Sequence, residues 1–233
     1  MTVLLEARDL SYDYPDGTPA LRGVSLRLTE GEKTALVGAN GSGKSTLLMH
    51  LAGCFAAEDG EILLRGRAVG RDLRALKDAA GLVFQEPDDQ LFMPSVLEDV
   101  AFGLVARNVK IEEAHSRARS YLEKLRVQHL ADRPPHRLSS GEKRTAALAG
   151  ILVMEPEIIL LDEPSAALDP RARRNLIDTL RGLDKSMIIA THDLEMASAL
   201  CSRAVLLHGG RVVGEGSPEE LLNDEKFLSS HGL

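Results

Sequence analysis

The stretch Gly38-Ala39-Asn40-Gly41-Ser42-Gly43-Lys44-Ser45 has the spacing G-x-x-x-x-G-K-S. That arrangement suits phosphate chemistry. Glycines let successive backbone N–H groups turn toward phosphate oxygens, a helix start adds a positive dipole end, the lysine reaches the β- and γ-phosphates, and the serine hydroxyl ligates Mg²⁺. A second acidic site, Asp162-Glu163, ends the aliphatic run Ile158-Ile159-Leu160-Leu161. Its first carboxylate is placed to hold Mg²⁺ through water, and its second to polarise an attacking water. The two sites together are the chemistry of nucleoside triphosphate hydrolysis.

Such residues work only if elements hold them, and the pattern supplies those elements. Lys33 to Val37 reads as a short strand and Ser45 to Met49 as a helix, so the glycine-rich loop, with Thr46 at its helical end, lies between strand and helix. Ahead of it, Val3 to Leu10 and Leu21 to Leu28 are aliphatic stretches parted by Pro15-Asp16-Gly17, the reading for an antiparallel sheet edge. Glu61 to Leu64 and Arg67 to Val69 form a further strand pair with Gly66 at the turn, and Ala80 to Phe84 another strand. Between Pro87 and Ala149 the character changes to helix: Ile111 to Leu125, a break at Pro134-Pro135, then Glu142 to Met154. Alternation then returns, with strands Ile158 to Leu161, Ser186 to Ala190, Ala204 to Leu207 and Val212 to Val213, and helices Arg171 to Leu183 and Leu194 to Leu200. Ser217-Pro218-Glu219-Glu220 opens a terminal helix, with a cap, a proline in the first turn and acids beside the dipole. Continuous aliphatic strands imply a mostly parallel sheet covered by helices, an α/β fold.

Composition removes other classes. The chain has 233 residues, 44% hydrophobic and 27% charged, with 28 Lys and Arg against 35 Asp and Glu, a net charge of −7. Such a field repels nucleic acid, and none is expected as a partner. Cys54 and Cys201 form no CxxC, so neither a disulfide framework nor a zinc site follows, and a reducing setting fits. Glu6, Arg8 and Asp9 leave no room for a secretory leader. The longest strongly apolar run, Ala146 to Met154, is about half of the ~20 residues a membrane span needs, so membrane association is expected to go through a partner. His50, His115, His129, His136, His208 and His231 match no motif.

Leu138-Ser139-Ser140-Gly141-Glu142 precedes an apolar helix, and Ser165-Ala166-Ala167-Leu168-Asp169 and Ala190-Thr191-His192-Asp193 follow the acidic pair. In this order the set resembles the ATP-binding subunits of ABC transporters, over essentially the whole chain. The resemblance implies a P-loop NTPase (RecA-like) core with an N-terminal antiparallel β-subdomain and an inserted α-helical subdomain. The chain would be one nucleotide-binding domain, with the core at about 1–86 and 155–233 and the helical part, carrying the signature, at about 87–154. It implies that Tyr14 stacks on adenine, Gln85 touches Mg²⁺ and the attacking water, and His192 holds that water in line with Glu163. Leu138 to Glu142 would be the signature that closes over the ATP of a partner subunit, and Ser165, Ala166, Leu168 and Asp169 the following D-loop. The usual form of the signature is Leu-Ser-Gly-Gly-Gln. Ser140 here restricts the backbone, and Glu142 adds a carboxylate at a helix start. With one copy of each motif, the active form is a homodimer or a pair with a related ATPase.

Gln85-Glu86-Pro87-Asp88-Asp89-Gln90-Leu91-Phe92, followed by Val96-Leu97-Glu98-Asp99-Val100-Ala101-Phe102-Gly103, is similar to the same stretch in energy-coupling factor ATPases. Ile188 to Ala197 and the ending Ser230-His231-Gly232-Leu233 look most like the cobalt/nickel-type members, with biotin or other vitamin motors, soluble ABC ATPases and export motors as the alternatives. The resemblance implies a transmembrane coupling subunit docking near Gln85 to Phe92 and a peripheral place on the cytoplasmic face of the membrane. Asp88-Asp89 beside Glu98-Asp99 would offer an acidic groove to a basic coupling helix.

Overall fold

The computed structural model describes residues 2–222 and 224–232, so Leu233 of the terminal sequence lies outside the described residues. In chain order the elements are β1 (Val3–Asp13), β2 (Pro19–Thr29), β3 (Lys33–Val37), α1 (Lys44–Leu51), β4 (Asp59–Leu64), β5 (Arg67–Ala68), α2 (Arg74–Ala79) and β6 (Ala80–Val83). There follow α3 (Val96–Ala106), α4 (Ile111–Lys124), α5 (Ser140–Leu152), β7 (Ile158–Asp162), α6 (Pro170–Gly182), β8 (Ser186–Thr191), α7 (Leu194–Leu200), β9 (Arg203–His208), β10 (Arg211–Gly216), α8 (Pro218–Leu222) and α9 (Glu225–Ser230).

The contacts divide the chain into two units. The first comprises Met1–Leu82, Glu157–Glu163 and Asp184–Leu233. Its N-terminal part is a four-stranded sheet in the order β2-β1-β4-β5, with antiparallel pairings throughout. The register places Leu5 opposite Leu28 and Leu64, and Ala7 opposite Leu26 and Ile62. Leu5, Ala7, Leu26, Leu28 and Ile62 are buried and Leu64 is half-buried, the one-face burial that alternation in a two-faced sheet requires. A second sheet runs β10-β9-β3-β8-β7-β6. Within it β9, β3, β8 and β7 pair in parallel and β10 runs antiparallel to β9. Every residue of β7 and β8 is buried, which is why these strands read as unbroken aliphatic runs.

The second unit comprises Val83–Pro156 and Pro164–Leu183. Its core is helix on helix. Ala114, Ala118 and Leu122 lie four residues apart on α4 and form one apolar stripe, packed with Val96, Val100 and Leu104 of α3 and Ala146 and Ala149 of α5. The alanines permit close approach of these helices.

Helix bounds differ from the sequence reading where caps decide them. The helix expected from Glu142 begins at Ser140, because Ser139 is its N-cap and Glu142 sits at the third position of a capping box. Helices α2 and α9 occupy stretches in which no separate helix was expected, and α3 falls within the block from Pro87 to Ala149 that reads as helical, at a place where no individual helix was assigned. For α3 a signal was present: Ser95 caps it and Glu98 returns the bond, an S-x-x-E signature ahead of an apolar run.

Candidate nucleotide site

In the first unit, β3 ends in the buried Val37, and the loop from Gly38 to Gly43 delivers the chain into α1. Two glycines are demanded by geometry. A Cβ on Gly38 would collide with the backbone oxygen of Leu207. Gly43, the residue before the helix, has φ 106°, and a Cβ there would lie 2.6 Å from the carbonyl oxygen of Ala20. Ser42 N–H donates to the Ala39 carbonyl at 3.1 Å, tightening the loop that also carries Asn40 and Gly41.

Lys44 is only 5% exposed. Its Nζ donates to the carbonyls of Gly38 (2.7 Å) and Ala39 (3.2 Å) and lies 3.4 Å from Glu163 Oε1. Glu163, 4% exposed, follows Asp162 at the end of β7. Its N–H donates to the Ala190 carbonyl of β8 at 2.8 Å, and its φ of 43° is a left-handed conformation that costs roughly 1–2 kcal/mol for a residue with a Cβ. Strain of this kind persists where surrounding structure over-determines it. His192, just beyond β8, places Nδ1 2.9 Å from Glu163 Oε2, and its backbone N–H lies 3.3 Å from the same oxygen. The first unit therefore brings a phosphate-binding type of lysine, a buried carboxylate and an imidazole into one chain of contacts. The pairing offsets the desolvation of both buried charges.

Tyr14 lies at the edge of the same unit, and its hydroxyl shares a 2.8 Å hydrogen bond with Thr46 Oγ1 on α1. Its ring meets Tyr12 edge-on at 5.2 Å, and Tyr12 in turn stacks on Phe55 and meets His50 edge-on. His50, to which the sequence assigned no chemistry, is fully buried with Nδ1 2.8 Å from the Thr46 carbonyl. Burial pushes its pKa down, and from its place on α1 the ring packs edge-on against Tyr12 and Phe55.

In the second unit, the hydroxyl of Ser139 donates to Glu142 at 2.8 Å, and the backbone N–H of Ser139 donates to the same carboxylate at 2.8 Å. These bonds hold the Glu142 carboxyl below its usual range. Leu138 is buried beneath them. Ser140 Oγ donates to the Ala167 carbonyl at 3.4 Å, and a Cβ on Gly141 would meet Ala172 at 3.0 Å, so the signature segment lies against the loop of Ser165, Ala166, Leu168 and Asp169. Asp169 caps α6 by accepting from Arg171 N and Ala172 N, which lowers its pKa. Gln85 is exposed, and its carbonyl accepts from Arg144 at 2.6 Å.

Sequence reasoning missed two cations next to the signature. Arg144 is 4% exposed, and Lys143 grips both oxygens of Asp88 at 2.6 and 2.8 Å. The expected acidic groove is thereby altered. Asp88 is paired with Lys143, Glu98 accepts from Ser95, and Asp99 accepts the N–H groups of Phe92 and Met93 at 2.9 Å each. These acids are engaged within the unit, and the exposed feature beside them is the Phe92–Phe102 edge-to-face pair, with centroids 5.0 Å apart.

Among the described residues, no group of three or more His, Cys, Asp or Glu side chains gathers to hold a metal ion. The oxygen donors at the site are the exposed hydroxyl of Ser45 and the buried carboxylate of Asp162. Few, hard donors of this kind fit Mg²⁺, which takes one or two protein oxygens and completes its shell with phosphates and water. No helix among the described residues is long and apolar enough to cross a membrane.

Comparison with known proteins finds relatives over most of the chain. The family described as ABC transporter matches residues 21–166. The energy-coupling factor transporter ATP-binding protein EcfA of Methanothermobacter thermautotrophicus is 42% identical over 236 residues, covering 99% of this chain and 76% of that protein. CbiO1 of Clostridium perfringens, part of the ABC transporter complex CbiONQ, superposes with a TM-score of 0.85 at 38% identity, over 97% of this chain and 93% of that one. A dimeric ATP-binding cassette in a post-hydrolysis state bound to ADP and Pi superposes at 0.81 with 28% identity, covering 92% and 99%.

Proposed function

The chain belongs to the ABC transporter family of ATP-hydrolysing subunits, and we propose that it is the motor of an energy-coupling factor importer whose solute is cobalt or nickel. The observation that carries the hydrolytic part is the contact chain Lys44–Glu163–His192, at 3.4 and 2.9 Å, beside the glycine loop. Lys44 and the loop N–H groups from Gly38 to Thr46 bind the phosphates of ATP, and Tyr14 takes the adenine. Glu163 accepts the proton of the attacking water, and His192 orients it. Ser45, Asp162 and Gln85 would hold Mg²⁺, which supplies charge neutralisation at the phosphates when bound. Residues 1–233 act as one nucleotide-binding domain.

The likeness to EcfA, an energy-coupling factor transporter ATP-binding protein, and to CbiO1, part of the ABC transporter complex CbiONQ, supports the energy-coupling factor reading, while the cobalt or nickel reading rests on the resemblance of Ile188 to Ala197 and of the terminal sequence. The dimeric cassette supports pairing with a second copy or a related ATPase, with Leu138–Glu142 and Ser165–Asp169 facing the partner's nucleotide. A transmembrane subunit docks near Gln85–Phe92 and holds the chain at the cytoplasmic face of the membrane.

Phosphate release tests the chemistry. Glu163→Gln is expected to keep MgATP binding and lose roughly 10²–10⁴-fold in turnover. Near-normal turnover in that variant would remove Glu163 from the reaction. For the solute, uptake of Co²⁺, Ni²⁺ and biotin by vesicles containing the motor with its co-purifying membrane subunits should favour the two cations; uptake of biotin alone would replace them.

A further inference from the structure

Arg144 lies on α5, close behind the signature segment, and is 4% exposed. Its Nη1 donates to the carbonyls of Phe84 (3.0 Å) and Gln85 (2.6 Å), and its Nη2 to the carbonyl of Ala166 (3.3 Å). One planar guanidinium thus fastens two separate loops to a third element. The first loop carries Gln85, the second is the segment Ser165–Asp169, and the helix that holds the arginine begins at the signature. Neighbouring bonds repeat the pattern with weaker groups. Gln90 Nε2 donates to the Ala147 carbonyl on the same helix at 3.1 Å, and Ser140 Oγ reaches Ala167 at 3.4 Å.

We propose that Arg144 is a positioning residue which locks the Gln85 loop and the Ser165–Asp169 loop to the signature helix, so that the three move as one piece when nucleotide is sensed. The inference rests on the ATPase reading above and adds to it a residue that touches no nucleotide. The chemistry favours arginine for this task. A fork of fixed geometry can serve carbonyls from two directions at once, and charge-assisted bonds to carbonyls are stronger than neutral ones. An ammonium group is a single point and cannot span both loops in the same way. Loops that drift relative to one another by about 1 Å misplace reacting groups, a displacement able to cost on the order of 10²-fold in rate.

The test compares Arg144→Met, which keeps length without donors, and Arg144→Lys, which keeps the charge without the fork. Expected is a fall in kcat of tenfold or more for Arg144→Met and a smaller fall for Arg144→Lys, on the order of the misplacement effect. Binding of a fluorescent ATP analogue should change by less than about twofold, because the phosphate loop lies in the other unit. Backbone hydrogen exchange of the folded Arg144→Lys protein should rise in residues 84–90 and 164–169 together, and not in residues 38–46. Unchanged turnover in both variants, loss of binding in proportion to turnover, or exchange that rises in one loop alone would overturn the proposal. If Arg144→Met does not fold, Arg144→Lys decides. A parent protein that released no phosphate would instead overturn the ATPase reading, and the exchange measurement would still decide the role of Arg144.

Discussion

Tyr14 is tied to the phosphate-loop helix by its hydroxyl and braced from behind by Tyr12, so its two ends have separable duties. The ring offers a stacking face; the hydroxyl holds that face at a fixed distance from Thr46. Base–aromatic stacking is worth about 1–3 kcal/mol and a neutral hydrogen bond a net of about 1 kcal/mol. Tyr14→Phe should therefore weaken ATP binding by less than about tenfold, while Tyr14→Ala should weaken it by roughly tenfold to a hundredfold. Inorganic triphosphate, which has no base, should bind all three proteins alike. Equal loss of ATP and triphosphate binding in Tyr14→Ala would show that the ring supports the loop rather than the base. The thiols differ at the same scale: Cys201 is buried, and burial pushes its pKa to about 12, so in the folded protein alkylation should fall on the exposed Cys54.

Helix α3 begins with a Ser95 N-cap and α5 with a full capping box, and each carries a carboxylate near its start whose titration has the opposite sign to the other. Bonds from the Ser139 N–H and hydroxyl lower the Glu142 pKa, so its contribution to stability is present above its ordinary 4.5 and is lost as pH falls through the folded value. Asp99 is raised by burial, so the folded state holds its proton more tightly than the unfolded chain does. Its ionisation lowers stability as pH rises from the ordinary 3.8 through the folded value. Asp99→Asn keeps an acceptor for the Phe92 and Met93 N–H groups and removes the buried charge. Urea unfolding midpoints of parent and variant should coincide in acid and separate in the variant's favour toward neutral pH. A variant that lost stability at neutral pH would show that the charged bonds outweigh desolvation. Ser139→Ala should cost about 1 kcal/mol at neutral pH, the usual value of a cap.

These elements also mark how far the sequence could be read. Strands β3, β7 and β8 were legible because both faces are buried and, apart from Lys33 at the start of β3 and Asp162 at the end of β7, their residues are apolar or small; the glycine loop was legible because its residue types have few other uses. Helix α3 was not, since VLEDVAFGLVA is apolar on nearly all sides and lacks the stripe that reveals a helix; only Ser95 and Glu98 announced it. Arg144 was invisible for another reason. Its partners are backbone carbonyls some 20 to 60 residues away, which no local pattern encodes.

At the scale of the whole molecule, the phosphate loop and the signature belong to different compact units, and the chain carries one of each. A hydrolytic site that needs both from facing subunits must be assembled by association. Glu163→Gln, which keeps nucleotide in place, should be monomeric alone and double its mass by light scattering on addition of MgATP; no change would point to a different ATPase as the partner. The membrane partner proposed for this chain needs its own surface. Since Asp88 is held by Lys143, reversing the charge there would disturb the signature helix, and the exposed aromatic pair is the cleaner target. Phe92 is 62% and Phe102 45% exposed, so the pair presents apolar area to water that would be better buried. Replacing both by serine removes apolar area that would be buried on docking, at about 25 cal/mol per Å². The Phe92→Ser, Phe102→Ser protein should retain basal ATPase and its thermal midpoint, and should no longer co-purify in detergent with the transmembrane subunits. Retained co-purification would place the docking surface elsewhere on the chain.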